Sequence, residues 1–250
     1  MIILSILFFI TAILYSSVGF GGGSTYLALL LIWNIPYYIF PVIALFCNII
    51  VVSGNSFNYV RKGNYDLNLL YPFLIGSVPF AFFGGSLEVD KDFFEKLLFL
   101  VLFVAGILLL VNNKSYEEKN ILIKKISIYK SLLIGSILGF ISGIVGIGGG
   151  IFLSPILFLL KAAKPKVIVT TASLFILINS VSGIIGQFTK KIVMSEVISF
   201  WPLLISVFIG GLLGNYLNIK LLSSRVLAII TSLLVIFVAT RMALKIFFNL

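Results

Sequence analysis

Histidine is absent from this chain, and cysteine occurs once, at Cys47. The first absence removes the commonest general base and the commonest metal ligand. The second excludes an internal disulfide and any cysteine-based metal cluster. Charge is scarce as well. Only 10% of the 250 residues are charged, against about 25% in a soluble domain. With 60% hydrophobic residues and a mean hydropathy of +1.21, no water-soluble surface can be built. No charged residue lies deep in an apolar run; Glu88, Asp90, Glu95 and Glu196 stand near run ends. A membrane-buried carboxylate for proton coupling is therefore missing. An intramembrane hydrolase would also lack a base beside its nucleophile. No GK[ST] motif occurs, so neither a phosphate-binding loop nor a self-contained ATP-driven pump is encoded. No cofactor is implied.

What is present is long apolar runs. They are continuous and do not alternate in polarity as β-barrel strands would, which favours an all-α, polytopic transmembrane bundle. The net charge of +10 does not point to nucleic acid, because the basic residues are spread thinly between runs, as loop charges are in membrane proteins. The N-terminal run lacks a basic lead and a small-residue cleavage site, and reads as a retained membrane segment. The runs are Ile2–Val18, Ser24–Trp33, Tyr37–Tyr59, Leu67–Leu87 and Phe93–Val111, then Ile128–Val145, Ile151–Leu160, Val167–Phe188, Val197–Leu217 and Val226–Phe248. The polar stretch Asn112–Lys125 separates the two sets. We therefore expect a first repeat over 1–111, a polar cytoplasmic linker over 112–127 and a second repeat over 128–250.

The repeat is carried by residues as well as lengths. "SSVGFGGGST" at Ser16–Thr25 returns as "SGIVGIGGGI" at Ser142–Ile151. Tyr71–Pro72 and Gly84 match Trp201–Pro202 and Gly214. Two equivalent halves are the usual plan of secondary transporters. The glycines do not form a dinucleotide fingerprint, since both flanks are apolar and membrane-length. Gly19 with Gly23, and Gly146 with Gly150, have the spacing of a helix-packing face. Three consecutive glycines, however, favour a break in the helix. A break inside a membrane is tolerated only where protein or a watery cavity satisfies the freed backbone. The following half-helix then offers N–H groups and a positive dipole end to an anion. On this reading Gly21, Gly22, Gly23, Gly148, Gly149 and Gly150 form an anion site. Ser24 and Thr25 would cap and donate on the first half-helix, and Ser154 on the second. Asn48 and Asn179, mid-run in equivalent helices, serve either as interhelical glue or as substrate contacts. Ser53, Ser180, Ser182 and Gln187 are more readily explained as bonds within the bundle.

"GFGGGSTYLALLLIW" and "GIVGIGGGIFLSPILFLL" resemble the paired signature of the TauE/SafE-type sulfite exporter family, and "TTASLFILINSVSGIIGQ" and "FNYVRKGNYD" resemble further parts of it. Ala28 stands where Pro155 would align, so the first motif departs from the second. The resemblance implies a fold of about eight spans. It also implies a secondary transporter, in the cell membrane, of small sulfur-containing anions such as sulfite or organosulfonates. The partners implied are the lipid bilayer and the anion, with a homo-oligomer left open. A scaffold or assembly factor that transports nothing is the alternative.

Topology has two solutions. Met1–Trp33 spans about 50 Å if helical, too long for one crossing of about 30 Å and too short for two. If the broken pair crosses once, the halves lie parallel and Lys161–Lys166 is extracytoplasmic. If it enters and leaves on one side, the halves are inverted and Lys161–Lys166 is cytoplasmic. The distribution of basic residues does not separate the two. The inverted arrangement is favoured because it brings both half-helix N-termini to the midplane.

Overall fold

The computed structural model describes residues 1–111, 123–190 and 194–217, and parts of 229–244. Most of the polar linker and about half of the last apolar run lie outside the described residues, as do Lys191, Lys220, Arg225, Arg241 and Lys245. The described chain is helical, with no strand. Its helices are α1 (Ile2–Val18), α2 (Gly23–Ile32), α3 (Phe40–Arg61, entered through a 3₁₀ turn at Tyr37–Ile39), α4 (Leu67–Ser86) and α5 (Lys91–Val111), followed by α6 (Ile128–Val145), α7 (Gly150–Leu159), α8 (Pro165–Gln187), the short α9 (Met194–Ile198) and α10 (Trp201–Leu217). A further short apolar helix covers Val235–Leu244. Among the described residues five helices are long and apolar enough to cross a membrane: Tyr37–Arg61, α4, α5, α6 and α8. The shorter α1, α2, α7 and α10 are apolar as well.

Local chemistry sets the boundaries. Pro41 and Pro165 stand in the first turns of α3 and α8, where no intrahelical N–H is lost. Asp66 caps α4 by accepting from the N–H groups of Asn68 (2.9 Å) and Leu69 (3.3 Å). α1 and α6 each end at a glycine in the left-handed region, Gly19 (φ 88°) and Gly146 (φ 86°).

Tight helix packing comes from glycines that the sequence reading did not single out for it. On α6, Gly135, Gly139 and Gly143 lie directly against the backbone of Phe73, Ser77 and Ala81 on α4. In return, Gly76 and Gly84 of α4 lie against the backbone of Leu132 and Phe140. Gly186 of α8 meets Phe82, and Ser182 donates to the Val78 carbonyl at 2.6 Å. With no hydrophobic drive between helices in lipid, small residues that let backbones touch supply the attraction. Gly19 and Gly23 are not a packing face: one ends α1 and the other begins α2.

The same contacts give helix directions. Phe73, Ser77 and Ala81 advance with Gly135, Gly139 and Gly143, so α4 and α6 run the same way. Val78 and Phe82 advance with Ser182 and Gly186, so α8 joins them. Gly210 meets Phe9 and Gly214 meets Ile13, so α10 runs with α1. Gly211 lies near Val51 and Asn215 near Gly54, so α3 runs with both. Ser56 bonds Ser173 (3.1 Å) while Leu45 lies beside Gly183, so α3 and α8 are antiparallel. Thus α1, α3 and α10 point one way and α4, α6 and α8 the other. Because α1 and α3 start at the same end, α2 carries the chain back to that end. α7 does the same for α6 and α8 at the opposite end.

Charge divides between the two ends. The end holding the α3–α4 turn carries Arg61, Lys62, Lys124, Lys125, Lys130, Lys161, Lys164 and Lys166, with Asp66 as the one acid among the described residues. The other end carries Lys91, Lys96 and Lys190 with Glu88, Asp90, Asp92, Glu95 and Glu196.

Candidate functional site

Each glycine motif breaks its helix in the same manner. After Gly19 and Gly146 the chain turns, and Gly22 (φ 79°) and Gly149 (φ 74°) precede α2 and α7 in the left-handed region. Side chains with a Cβ are strained there. The two breaks differ in one respect: Gly148 also has a positive φ (78°), whereas Gly21 does not. Residues 21–30 and 142–150 are buried. No side chain caps α2 or α7. The first N–H groups of each, at Gly23 and Ser24 and at Gly150 and Ile151, have no intrahelical partner.

This corrects the capping role expected of Ser24, Thr25 and Ser154. Gly22 and Gly149 occupy the cap positions, so Ser24 and Thr25 fall inside the first turn of α2 and Ser154 one turn into α7. The Thr25 hydroxyl is instead paired with the Tyr15 hydroxyl of α1 at 2.7 Å. Ser24 Oγ and Ser154 Oγ are buried with no partner.

Asn48 brings the two breaks together. It is fully buried on α3. Its amide donates weakly to the Gly146 carbonyl at 3.5 Å. A Cβ built on Gly21 would lie 2.6 Å from Asn48 Oδ1, and one on either Gly23 or Gly148 would lie 2.8 Å from Asn48 Nδ2. The breaks also touch directly, since a Cβ on Gly23 would meet the Ile147 carbonyl at 2.7 Å. From α8, Ile176 faces the same point. Its Cγ2 lies 3.2 Å from the Gly21 position and 2.9 Å from that of Gly148. Ser180 Oγ, one turn on, lies 3.2 Å from the Gly148 position. Both Asn48 Oδ1 and Ser180 Oγ are buried without a partner.

Other predicted residues sit further out. Gly150 is closed by the Ile176 side chain, Gly22 by the Tyr15 ring and Gly149 by the Phe175 ring. The Asn179 amide donates back to the Phe175 carbonyl at 2.9 Å, leaving its Oδ1 unpartnered. It is not among the atoms nearest either break, and Ile176 is what opposes Asn48. Gln187, Ser182 and Ser53 bond backbone carbonyls within the bundle, as read from the sequence. Ile176 was missed because nothing in an apolar residue within an apolar run marks it. Ser180 was visible but not distinguishable from its neighbours.

The site is polar without being charged. Among the described residues the buried side chains with polar groups are Ser, Thr, Asn, Gln, Tyr and Cys, with no Asp, Glu, Lys or Arg. It can donate hydrogen bonds from helix N-termini, hydroxyls and an amide, but has no described side chain to exchange protons near neutral pH. Outside the bundle, burial lowers the Lys190 pKa to about 8, although Glu88 opposes the shift.

A family model described as sulfite exporter TauE/SafE matches residues 4–242. The chain belongs to the TauE/SafE family. It is similar to a "probable membrane transporter protein" of Sinorhizobium fredii, 28% identical over 92% of this chain and 93% of that one. A protein of the same description from Methanocaldococcus jannaschii is 32% identical over 76% of this chain and 73% of its own. One from Bacillus subtilis is 26% identical over 85% and 86%. No solved structure matches significantly. As a TauE/SafE protein with several membrane-length helices, the chain is an integral, multi-pass membrane transporter and not an enzyme.

Proposed function

We propose that this TauE/SafE protein is a secondary transporter of small anions, with sulfur-containing oxyanions such as sulfite or organosulfonates as the substrate class. The anion binds where the two glycine breaks meet. One observation carries the reading: Asn48, fully buried, lies against both breaks at once, and beside it the Ser180 hydroxyl, able to donate, is buried without a partner. Buried polar atoms without partners are rare in settled structure and common where a ligand completes them. Two half-helix N-termini at that point supply the donors and partial positive charge an anion needs.

The helix directions support two inverted repeats, 1–111 and 128–250, with about eight membrane segments. α1, α3 and α4 correspond to α6, α8 and α10 and run oppositely to them. The packing agrees, since α4 lies on α6 and α8 while α10 lies on α1 and α3. The end rich in Lys and Arg is assigned to the cytoplasm, which places the linker and Lys161–Lys166 there together.

The test is uptake into proteoliposomes of sulfite, sulfoacetate, taurine and sulfate. Flux of at least one sulfur anion, lost in Gly22→Leu and Gly149→Leu variants that still fold, is expected. Normal flux in both variants would refute the backbone site. Absence of flux for all four would favour a scaffold.

A further inference from the structure

We infer that Tyr59 is the gate between the paired breaks and the cytoplasm, and that the opposite route is shut by backbone. The inference rests on the proposed site and inverted repeats, and concerns how each route to that site is closed. In inverted repeats each closure has a counterpart at the other end with which it can be compared. A Cβ on Gly146, where α6 ends, would have only backbone of Pro41, near the start of α3, as its nearest neighbours, with the Pro41 carbonyl at 2.7 Å. Its counterpart Gly19, where α1 ends, faces side chains instead: Tyr59 Oη at 2.6 Å, Tyr59 Cε2 at 2.7 Å and, from near the start of α8, Val169 Cγ1 at 2.8 Å. The joints between helices differ in the same sense. Gly85 of α4 lies against backbone of Gly183, Gly186 and Gln187 on α8. In the other half, the register that pairs Gly84 with Gly214 pairs Gly85 with Asn215, and Ser53–Gly54 matches Ser182–Gly183. There the atoms nearest Gly54 all belong to the Asn215 side chain.

The seam between α3 and α8 shows the same division. Asn48 and Ile176 meet at the breaks. Toward the cytoplasmic end follow Ser56 with Ser173, their hydroxyls 3.1 Å apart, and then Tyr59 with Val169 at Gly19. Toward the other end, Leu45 lies beside Gly183, and the Phe46 and Phe188 rings are 6.3 Å apart. An anion can shed water onto hydroxyls but not onto an apolar seam, so the cytoplasmic stretch is the passable one. Ser56 and Ser173 are buried, so that stretch is closed here. Tyr59, half-buried, is its outermost cover over the first break. A side chain can rotate aside while its helix stays in place. Backbone contacts part only when a helix moves. The cytoplasmic route is therefore the one that opens first from this conformation.

The experiment measures access to the site from each face. Ser180, whose Oγ lies 3.2 Å from the Gly148 position, is replaced as Ser180→Cys in a Cys47→Ala background. Labelling by a membrane-impermeant methanethiosulfonate is timed in right-side-out and in inside-out membrane vesicles. Tyr59→Ala should speed labelling at least about tenfold from the cytoplasmic face and leave the other face unchanged. Tyr59→Phe keeps the ring and should label as slowly as the parent. Phe188→Ala, at the position matching Tyr59 in the second half, should not speed labelling from the extracytoplasmic face, because backbone closes that route. Unchanged labelling in Tyr59→Ala, or acceleration from the extracytoplasmic face, would overturn the gate. So would a Tyr59→Phe protein as fast as Tyr59→Ala. Acceleration in Phe188→Ala would overturn the backbone seal. A cross-link checks the route without altering Tyr59. Ser56→Cys with Ser173→Cys, oxidised in the Cys47→Ala protein, should stop exchange of labelled sulfite, and a reductant should restore it; full exchange through the linked protein would overturn the route. Thiol labelling needs no substrate. A Tyr59→Ala effect without flux of any sulfur anion would keep the gate and remove the substrate reading, and flux without that effect would do the reverse.

Discussion

The backbone N–H of Lys124 donates to the carbonyl of Lys161 at 3.0 Å, tying the end of the interhalf linker to the turn between α7 and α8. The two segments therefore share one face of the molecule, together with most of the described basic residues. A reporter fused after Lys166 should give a cytoplasmic signal, as should one inserted at the linker. An extracytoplasmic signal at Lys166 alone would contradict the inverted arrangement; one at both sites would reverse the assigned orientation.

Gly139 of α6 lies against Ser77 of α4, and a Cβ there would come within 2.7 Å of the Ser77 Cα. Backbone cannot step aside as a side chain can. Gly139→Leu should cost about 3 kcal/mol or more and lower the melting temperature in detergent sharply. Gly211→Ala is the control. Its nearest atoms would be 3.8 Å away, so it should be neutral or gain up to about 1 kcal/mol from helix propensity.

Asn58 on α3 donates to Asn215 Oδ1 on α10 at 2.7 Å. Hydrogen bonds between membrane helices couple by about 0.6 kcal/mol on average. A double-mutant cycle with Asn58→Ala and Asn215→Ala should return a coupling of that order. A value near zero would reduce the pair to incidental contact.

Lys190 has a folded pKa of about 8, below its ordinary value of 10.5, chiefly because it is partly buried. Between those values the unfolded chain holds the proton more tightly, so stability rises with pH across about 8 to 10.5. The handicap is fully present below pH 8. Lys190→Met should raise the melting temperature at pH 7 and flatten this rise. An unchanged slope in the variant would place its origin elsewhere.

Helix positions were legible because apolar runs of membrane length have few other uses. Ile2–Val18 and Ile128–Val145 match α1 and α6 residue for residue. The breaks were legible because consecutive glycines oppose helix propensity. That the two breaks would converge was expected from their duplication; that antiparallel α3 and α8 bring Asn48 and Ile176 to the meeting point was not, since direction leaves no trace in composition. Asn48 was identifiable as a buried amide needing a partner, but its difference from Asn179 was not. One turns into the breaks and the other bonds its own helix; only the azimuth on the helix separates them. The glycines of α6 were overlooked as packing residues because the more conspicuous cluster drew the same explanation.

The contacts made by α4 and α10 give the two halves a clasped-hands construction. Each half lends its fourth principal helix to the other half and receives one in exchange. The deepest backbone contacts, Gly139 on Ser77 and Gly186 on Phe82, join residues from opposite sides of the linker. A chain cut within 112–122 should consequently reassemble when both pieces are made together. Either piece made alone would present a glycine-lined groove with no helix to fill it. Reassembly would show that the contacts of α4 with α6 and α8, and not the joining peptide, hold the two parts of the chain together.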